Sequence, residues 1–223
     1  NPETPNASVA NLDIEHIFPK SWWGGEVNEA YQDLHHLVPA DYSANRSKSN
    51  MPPGIVVEAG FDNGSFKTGT SAEDCPADKV FEPADEYKGD FARAYFYIAT
   101  AYRSYTWDMT SQAAQAMDND SYLEFQDWLY PILLDWHRKD PVSEKEIKRT
   151  AQVSRIQHNR NPFIDYPCLV EYIWGSRRGE TVDMSKLLYT ASNEYKYIED
   201  KSGCTCNCGL DVEQMTASDS PLD

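Results

Sequence analysis

Two short stretches near the start of the chain combine groups that can perform acid–base and metal chemistry. Glu15 and His16 are adjacent, at the end of a run in which polar and apolar residues alternate. A histidine flanked by a carboxylate can act as a general base near neutral pH. Asn45 supplies an amide oxygen, and carboxylate and amide oxygens are hard ligands that suit Mg²⁺. The residues therefore predict a site for a hard divalent ion with a histidine beside it.

A strand–loop–strand–helix unit could bring these groups together. The first strand is predicted over residues 11–18, since its residues alternate with period 2. The second strand is predicted within residues 33–39, and the helix within residues 41–50, with Asp41 or Ser43 as its N-cap. The apolar residues of the first strand are predicted to face the interior: Leu12, Ile14 and Phe18.

The rest of the chain is mainly helical in pattern. Residues 55–90 are rich in turn signals, and apolar residues then repeat with helical spacing over residues 85–105. Ser143 and Glu146 form a capping box that predicts a helix to about residue 157.

A second capping-box pattern joins Ser121 to Glu124 and predicts a further helix, which Pro131 should kink. The predicted fold is α+β, predominantly helical with a small sheet. We expect one domain over residues 1–200 and a cysteine-containing tail over residues 201–223.

The charge is unevenly distributed along the 223 residues. Twenty basic and 36 acidic residues give a net charge of −16, which on average argues against a polyanionic partner. Residues 143–178, however, hold seven basic and four acidic residues, enough for a local cationic patch or for solvated helix faces. No apolar run is long enough to span a membrane, and the first residues do not have the pattern of a signal peptide.

The cysteines leave two interpretations open. There are five, and their spacing is not that of a zinc site. A small metal clip formed by Cys204, Cys206 and Cys208 and one or two disulfides of an exported protein are equally compatible with the sequence, whose other cysteines are Cys75 and Cys168.

Six ordered motifs resemble the endonuclease I family of exported bacterial nucleases. The first three, DIEHIFPKSW, DLHHL and NRSKSN, resemble the ββα-metal motif of that family, at residues 13–22, 33–37 and 45–50. The other three follow at residues 87–97, 136–143 and 159–165. The resemblance covers roughly residues 11–175. At position 158, where the family pattern implies glycine, this chain has His158.

The resemblance implies roles for individual residues. His16 corresponds to the general base, Glu15 and Asn45 to the ligands of Mg²⁺ or another hard ion such as Ca²⁺ or Mn²⁺, and Arg93 to an arginine near the scissile phosphate. His35 and Asn161 would support these groups without contacting the substrate. The basic residues expected to bind phosphate are Arg46, Lys48, Arg149, Arg155 and Arg160.

The function implied is a sequence-nonspecific, metal-dependent endonuclease. It would cleave DNA, and also RNA, to 5′-phosphate and 3′-hydroxyl ends, and would act as a secreted or periplasmic monomer. Two other classes stay open: a carbohydrate- or surface-binding module, and a catalytically inactive descendant that binds nucleic acid. An inactive descendant should lack one of Glu15, His16 or Asn45, and all three are present.

Overall fold

Two small antiparallel sheets and a set of helices make up the part of the chain that the computed structural model describes, residues 12–73 and 75–191. The first sheet pairs β1 (Leu12–His16) with β2 (Leu37–Asp41). The second sheet has the order β3-β4-β5, and its strands are Glu58–Asp62, Phe66–Thr70 and Lys79–Pro83. The helices are α1 (Glu29–Gln32), α2 (Tyr42–Lys48), α3 (Asp85–Ala101), α4 (Leu129–Lys139), α5 (Glu144–Gln157), α6 (Pro162–Asp165) and α7 (Leu169–Ile173). The α+β fold class is therefore confirmed.

The first strand exists, and Phe18 just beyond its end is buried as predicted, but the inward orientation predicted for Leu12 and Ile14 is wrong. Leu12 and Ile14 are 48% and 66% exposed, whereas Glu15 between Ile14 and His16 is buried. The alternation of β1 carries Glu15 toward α2, where Lys48 neutralises it. An ion pair that joins two separate elements thus decides which face of β1 is buried, and hydrophobicity alone does not reveal it.

Strands β3 to β5 fall in the region expected to be loop-rich, and that expectation is wrong. Their glycines and terminal proline lower the strand propensity of the sequence. Gly69 is required by the pairing itself, because a Cβ atom there would lie 2.0 Å from the carbonyl oxygen of Glu58 on β3.

Two long helices agree with the sequence patterns. α3 starts at Asp85 as expected, and α5 starts at a complete capping box in which the Ser143 and Glu146 side chains each accept a bond from the other's backbone. The box predicted at Ser121 is wrong, because Glu124 has φ = 64° and cannot continue a helix.

Helix α4 begins only at Leu129, which changes the effect of its proline. Pro131 lies in the first turn, where a backbone N–H has no partner within the helix, so it does not kink α4. No helix within residues 12–73 and 75–191 has both the length and the apolar character needed to cross a bilayer.

Helix α3 is the centre of the main core and packs chiefly against α4. Aromatic rings surround it on both sides: Phe96 stacks on Trp174 with centroids 4.3 Å apart, and Tyr95 lies 5.2 Å from Phe18. This packing fixes the face of α3 that remains available to the site.

The cysteine question is partly answered. Cys168 is disulfide-bonded, and Cys75 is a free thiol. Cys204, Cys206 and Cys208 lie outside the described residues, as does the tail predicted for residues 201–223.

Candidate functional site

A groove of about 700 Å³ lies between the β1–β2 pair, three helices and the turn between β3 and β4. Each helix contributes residues with the i, i+3, i+4, i+7 spacing of a single helical face. From α2 these are Asp41 (its N-cap), Ala44, Asn45 and Lys48; from α3, Tyr87, Asp90, Phe91 and Ala94; from α5, Lys145, Lys148, Arg149 and Gln152.

Glu15 faces the groove from β1 and forms a buried ion pair. Its Oε1 lies 2.5 Å from Nζ of Lys48, and Lys48 also donates to the carbonyl oxygen of His16 at 3.2 Å. Burial raises the pKa of Glu15, and the Lys48 ammonium opposes this shift. Because Lys48 is only 1% exposed and engaged inside the protein, the structure does not place it as a surface phosphate contact.

Asn45 lines the same groove from α2 and is oriented by a residue that sequence reasoning missed. Its Nδ2 donates to Oδ2 of Asp13 at 3.1 Å, which leaves Oδ1 to act as a ligand. Asp13 and Glu15 are two residues apart on β1 and therefore lie on one face of the strand. That spacing was the available sequence signal for Asp13.

The donor set fits a hard divalent ion. A carboxylate from Glu15 and an amide oxygen from Asn45 are the ligand types that Mg²⁺ prefers, with water supplying the remaining positions. Within residues 12–73 and 75–191 there is no group of three or more His, Cys, Asp and Glu side chains placed to hold a metal ion, so the proposed donor set consists of one carboxylate and one amide oxygen.

His16 is the last residue of β1 and points to the side opposite Glu15. Its half-buried ring contacts Tyr31 and His36, with centroids 4.6 Å and 5.4 Å away, and it is not part of the groove lining. Nε2 lies 3.0 Å from the carbonyl oxygen of Tyr31, so it carries the proton and leaves Nδ1 as the basic nitrogen. Burial lowers the pKa of His16, and the Tyr31 carbonyl opposes the shift.

The two residues expected to support the site have different surroundings. Asn161 is buried and structural: it caps α6 through Phe163 N–H and donates to the carbonyl oxygen of Arg93 at 3.2 Å. His35 is buried in the groove wall with its ring 4.7 Å from that of Tyr97. Among the described residues, its Nε2 has no hydrogen-bond partner.

The structure corrects the expectation that Arg93 contacts the phosphate. Its guanidinium is fully buried, with Nε and Nη2 at 2.6 Å and 2.9 Å from the two carboxylate oxygens of Glu146. Nη1 donates to the carbonyl oxygen of Asp140 at 2.8 Å. These contacts use all three nitrogens, so Arg93 joins α3 to α5 instead of facing the groove.

Two further arginines expected to bind phosphate are engaged within the protein. Arg149 lines the groove, but its Nη2 donates to the carbonyl oxygens of Leu34 (2.6 Å) and Leu37, and so holds the start of β2. Arg160 pairs with Asp165 through two bonds of 2.6 Å. Their cationic groups are therefore used for structure.

Exposed cations remain on α2 and α5. Arg46 and Arg155 are exposed but are not in the groove lining. Lys145 and Lys148, which were not predicted as site residues, line the groove with side chains 63% and 72% exposed. Their spacing of three residues on one helical face was the sequence signal for them.

Comparison with known proteins now places this geometry in a family. The family model for Endonuclease I matches residues 3–168, about three quarters of the chain. The chain belongs to the Endonuclease I family. An extracellular ribonuclease of Bacillus subtilis (strain 168) is 33% identical over 171 residues, 75% of this chain and 55% of the relative. An extracellular ribonuclease of Bacillus amyloliquefaciens is 34% identical over 169 residues, with the same two shares covered.

More distant relatives carry deoxyribonuclease names. A periplasmic deoxyribonuclease of Aeromonas hydrophila is 22% identical over 182 residues, 72% of this chain and 65% of the relative. The resemblance inferred from the six motifs is thus confirmed. This chain spans about half the length of the two Bacillus ribonucleases that it matches.

Proposed function

We propose that this Endonuclease I family chain is a divalent-metal-dependent endonuclease that cleaves DNA and RNA without sequence preference. One observation carries the proposal: β1, β2 and α2 fold so that Glu15 and Asn45 line one groove, and His16 directly follows Glu15. The strand–strand–helix order supports assigning residues 12–48 to a ββα-metal motif. A carbohydrate-binding role would give no reason for this arrangement.

His16 is the general base in this proposal. Its Nε2–H is held by the Tyr31 carbonyl, so Nδ1 can accept a proton from the attacking water. Burial lowers the pKa of His16, which keeps the imidazole neutral and able to accept that proton at neutral pH. In this proposal the reacting phosphate lies beyond the end of β1, next to the groove, where His16 can reach the attacking water.

Glu15 and Asn45 would hold Mg²⁺ or another hard ion beside that phosphate. When bound, the ion supplies positive charge that stabilises the phosphorane-like transition state and the leaving 3′ oxygen. The protein prepares for it in two ways: Lys48 fixes the Glu15 carboxylate, and Asp13 turns the Asn45 amide so that its oxygen is available.

In this proposal, two lysines of α5 bind the backbone phosphates, in place of Arg93, Arg149 and Arg160. Lys145 and Lys148 are exposed at the groove and can bind backbone phosphates, which carry no sequence information. Lys145 pairs with Asp90 at 2.8 Å, and Lys148 pairs with Glu144 at 3.0 Å. These ion pairs compete only weakly with a phosphate, which is compatible with reversible binding of a polyanion.

We also propose that the protein works outside the cytoplasm and as a monomer. The Bacillus relatives are named extracellular and the Aeromonas relative periplasmic. The disulfide at Cys168 supports an oxidising compartment. All side chains of the proposed site come from one chain, so a second copy is not needed to complete it.

The experiment that tests the proposal is digestion of a supercoiled plasmid and of a structured RNA with Mg²⁺ and with excess EDTA. We expect cleavage of both substrates with Mg²⁺, 5′-phosphate ends on the products and no cleavage in EDTA. Retained cleavage in EDTA would contradict the metal role, and absence of cleavage with every hard ion would favour an inactive binding module.

Calorimetry of the Asn45→Ala variant then tests the ligand assignment. We expect the affinity for Mg²⁺ and the rate of cleavage to fall together, since Asn45 supplies one of the two protein ligands. The matched control is Arg46→Ala, which changes the next residue of α2 outside the groove lining. An unchanged Mg²⁺ titration in Asn45→Ala would mean that the ion binds elsewhere.

A further inference from the structure

The groove has a wall that phosphodiester hydrolysis does not need. Besides Glu15 and Asn45, aromatic side chains line it from β4 and from α3: Phe66, Tyr87 and Phe91. Phe66 and Phe91 are both half-buried and both pack on Phe81, with centroids 5.4 Å and 5.6 Å away. A phosphate backbone has no group that stacks on aromatic side chains, whereas a nucleobase can stack on them.

The ring of Phe66 has the geometry of a stacking platform. It lies nearly parallel to Phe81, at an interplanar angle of 19°, so one of its faces is covered by the core. The residue also lines the groove, and the face opposite Phe81 is therefore the one that a ligand can meet. A flat aromatic ligand could stack there as a third ring.

Polar groups beside this wall match the rest of a nucleotide. Lys145 lies over the ring of Tyr87, 5.1 Å from its centroid, so a phosphate-binding cation and an aromatic face are adjacent. His35 also lines the groove, but its Nε2 is shielded from solvent, so this atom does not contact a ligand there.

We propose that this groove binds one unpaired nucleotide next to the scissile phosphate, with its base against Phe66 and Tyr87 and its phosphate at Lys145. The volume of about 700 Å³ is in the range of small-molecule sites. A paired base is stacked inside its helix and cannot reach such a wall without being extruded. The enzyme should therefore prefer single-stranded segments over duplexes. This inference rests on the proposed nuclease function and adds a substrate class to it.

The test measures binding separately from cleavage. Affinities of a single-stranded DNA oligonucleotide and of its duplex are measured by fluorescence anisotropy in EDTA, where the proposed activity is absent. For Phe66→Leu, which keeps an apolar side chain but removes the ring, we expect single-strand binding to weaken about 10-fold, since one base–aromatic stack contributes roughly 1–3 kcal/mol. Duplex binding should change less than 2-fold, and Phe66→Tyr should bind like the wild type.

Tyr87→Leu keeps the proposal testable if Phe66→Leu fails to fold, because Tyr87 is only partly buried. It should show the same selective loss, with Tyr87→Phe as the matched control. Equal losses on single strand and duplex, or no loss in either leucine variant, would overturn the proposal.

Plasmid cleavage by the wild type with Mg²⁺ distinguishes this failure from failure of the proposed function, because the binding test in EDTA does not depend on hydrolysis. If the wild type cleaves plasmid but binds single strand and duplex equally in EDTA, this inference is wrong and the nuclease function stands. If the wild type cleaves no nucleic acid with any hard ion while Phe66→Leu still weakens single-strand binding selectively, the nuclease function is wrong and the binding site stands.

Discussion

Two buried ion pairs line or adjoin the same groove, and they are built differently. In the pair of Arg93 and Glu146, both carboxylate oxygens meet the guanidinium, and Glu146 Oε2 also accepts from the backbone of Ser143 at 2.8 Å. In the pair of Glu15 and Lys48, the only described charge contact is the one between Oε1 and Nζ.

The difference separates structure from function in this molecule. A carboxylate whose oxygens are all used by the protein can only hold the fold together, as Glu146 does between α3 and α5. A carboxylate with unused acceptor capacity beside an amide oxygen can take an ion, as we propose for Glu15 and Asn45. Both are buried acids next to basic residues, so composition alone does not distinguish them.

The largest loss of stability is expected when the ion pair of Arg93 and Glu146 is broken. Arg93→Met leaves Glu146 buried without its counterion and should lower the free energy of unfolding by about 3–5 kcal/mol. Urea unfolding followed by circular dichroism measures this. The control is Arg155→Met, which removes an exposed arginine of α5 and should change the free energy of unfolding by less than about 0.5 kcal/mol. If Arg93→Met is as stable as the wild type but has lost activity, the original assignment of Arg93 to the phosphate is correct.

A buried group with no charge partner should give a strong pH dependence of stability. His36 is fully buried, its Nε2 lies 2.7 Å from the Ala30 carbonyl oxygen, and burial lowers its pKa to about 4. The unfolded histidine, with an ordinary pKa near 6.5, takes up its proton first as the pH falls. Stability is therefore complete above about pH 6.5 and is lost down to about pH 4, by roughly 3 kcal/mol in total.

Unfolding curves of the wild type and of His36→Asn at several pH values check this expectation. The asparagine does not titrate, so the difference in unfolding free energy between the two proteins should shrink as the pH falls from 7 to 4. A constant difference across that range would show that His36 keeps an ordinary pKa in the folded protein.

The site of the Glu15–Lys48 pair should respond to a metal ion, whereas the site of the Arg93–Glu146 pair should not. Lys48→Met leaves Glu15 without its counterion, and Mg²⁺ can then replace the lost charge. At ten times its dissociation constant, an ion that binds only the folded state stabilises by about 1.4 kcal/mol. We expect Mg²⁺ to raise the melting temperature of Lys48→Met by about 3–6 °C, as for a chain of this size.

The matched comparison is Arg93→Met in the same titration. Its melting temperature should rise with Mg²⁺ only as much as that of the wild type. Burial already raises the pKa of Glu146, so without the guanidinium this carboxyl group takes up a proton instead of binding a metal ion. A large Mg²⁺ response in Arg93→Met, and none in Lys48→Met, would reverse the roles assigned to the two pairs.

The smallest change in stability is expected at the end of α5, the helix that carries Glu146 of the structural ion pair. His158 ends this helix with φ = 62°, a conformation that glycine adopts without strain. His158→Gly should therefore stabilise the protein by about 0.5–1 kcal/mol. Thermal unfolding measures it, and Ile156→Gly, an exposed residue inside the same helix, should destabilise by about 1 kcal/mol.

The sequence could predict features that depend on near neighbours in the chain. The capping box of Ser143 and Glu146, the stripe of α3 and the N-cap Asp41 are local, and the structure contains all three. The family motifs likewise identified Glu15 and Asn45, which the fold brings to one groove.

Features that depend on distant partners could not be predicted. Arg93 is buried because it pairs with Glu146, which lies 53 residues further along the chain. Glu15 faces inward because it pairs with Lys48 on α2. Pairing among β3, β4 and β5 outweighs the low strand propensity of their glycines. In each case a tertiary contact supplies free energy that no sequence window contains.

The proposed role of His16 is tested most directly by the rate of plasmid and RNA cleavage by His16→Ala with saturating Mg²⁺. The account predicts a fall of about 10²–10⁴-fold, the usual effect of losing a general base. Binding of a single-stranded oligonucleotide in EDTA should stay at the wild-type level, because His16 is not part of the groove lining. Cleavage by His16→Ala at the wild-type rate would contradict the account.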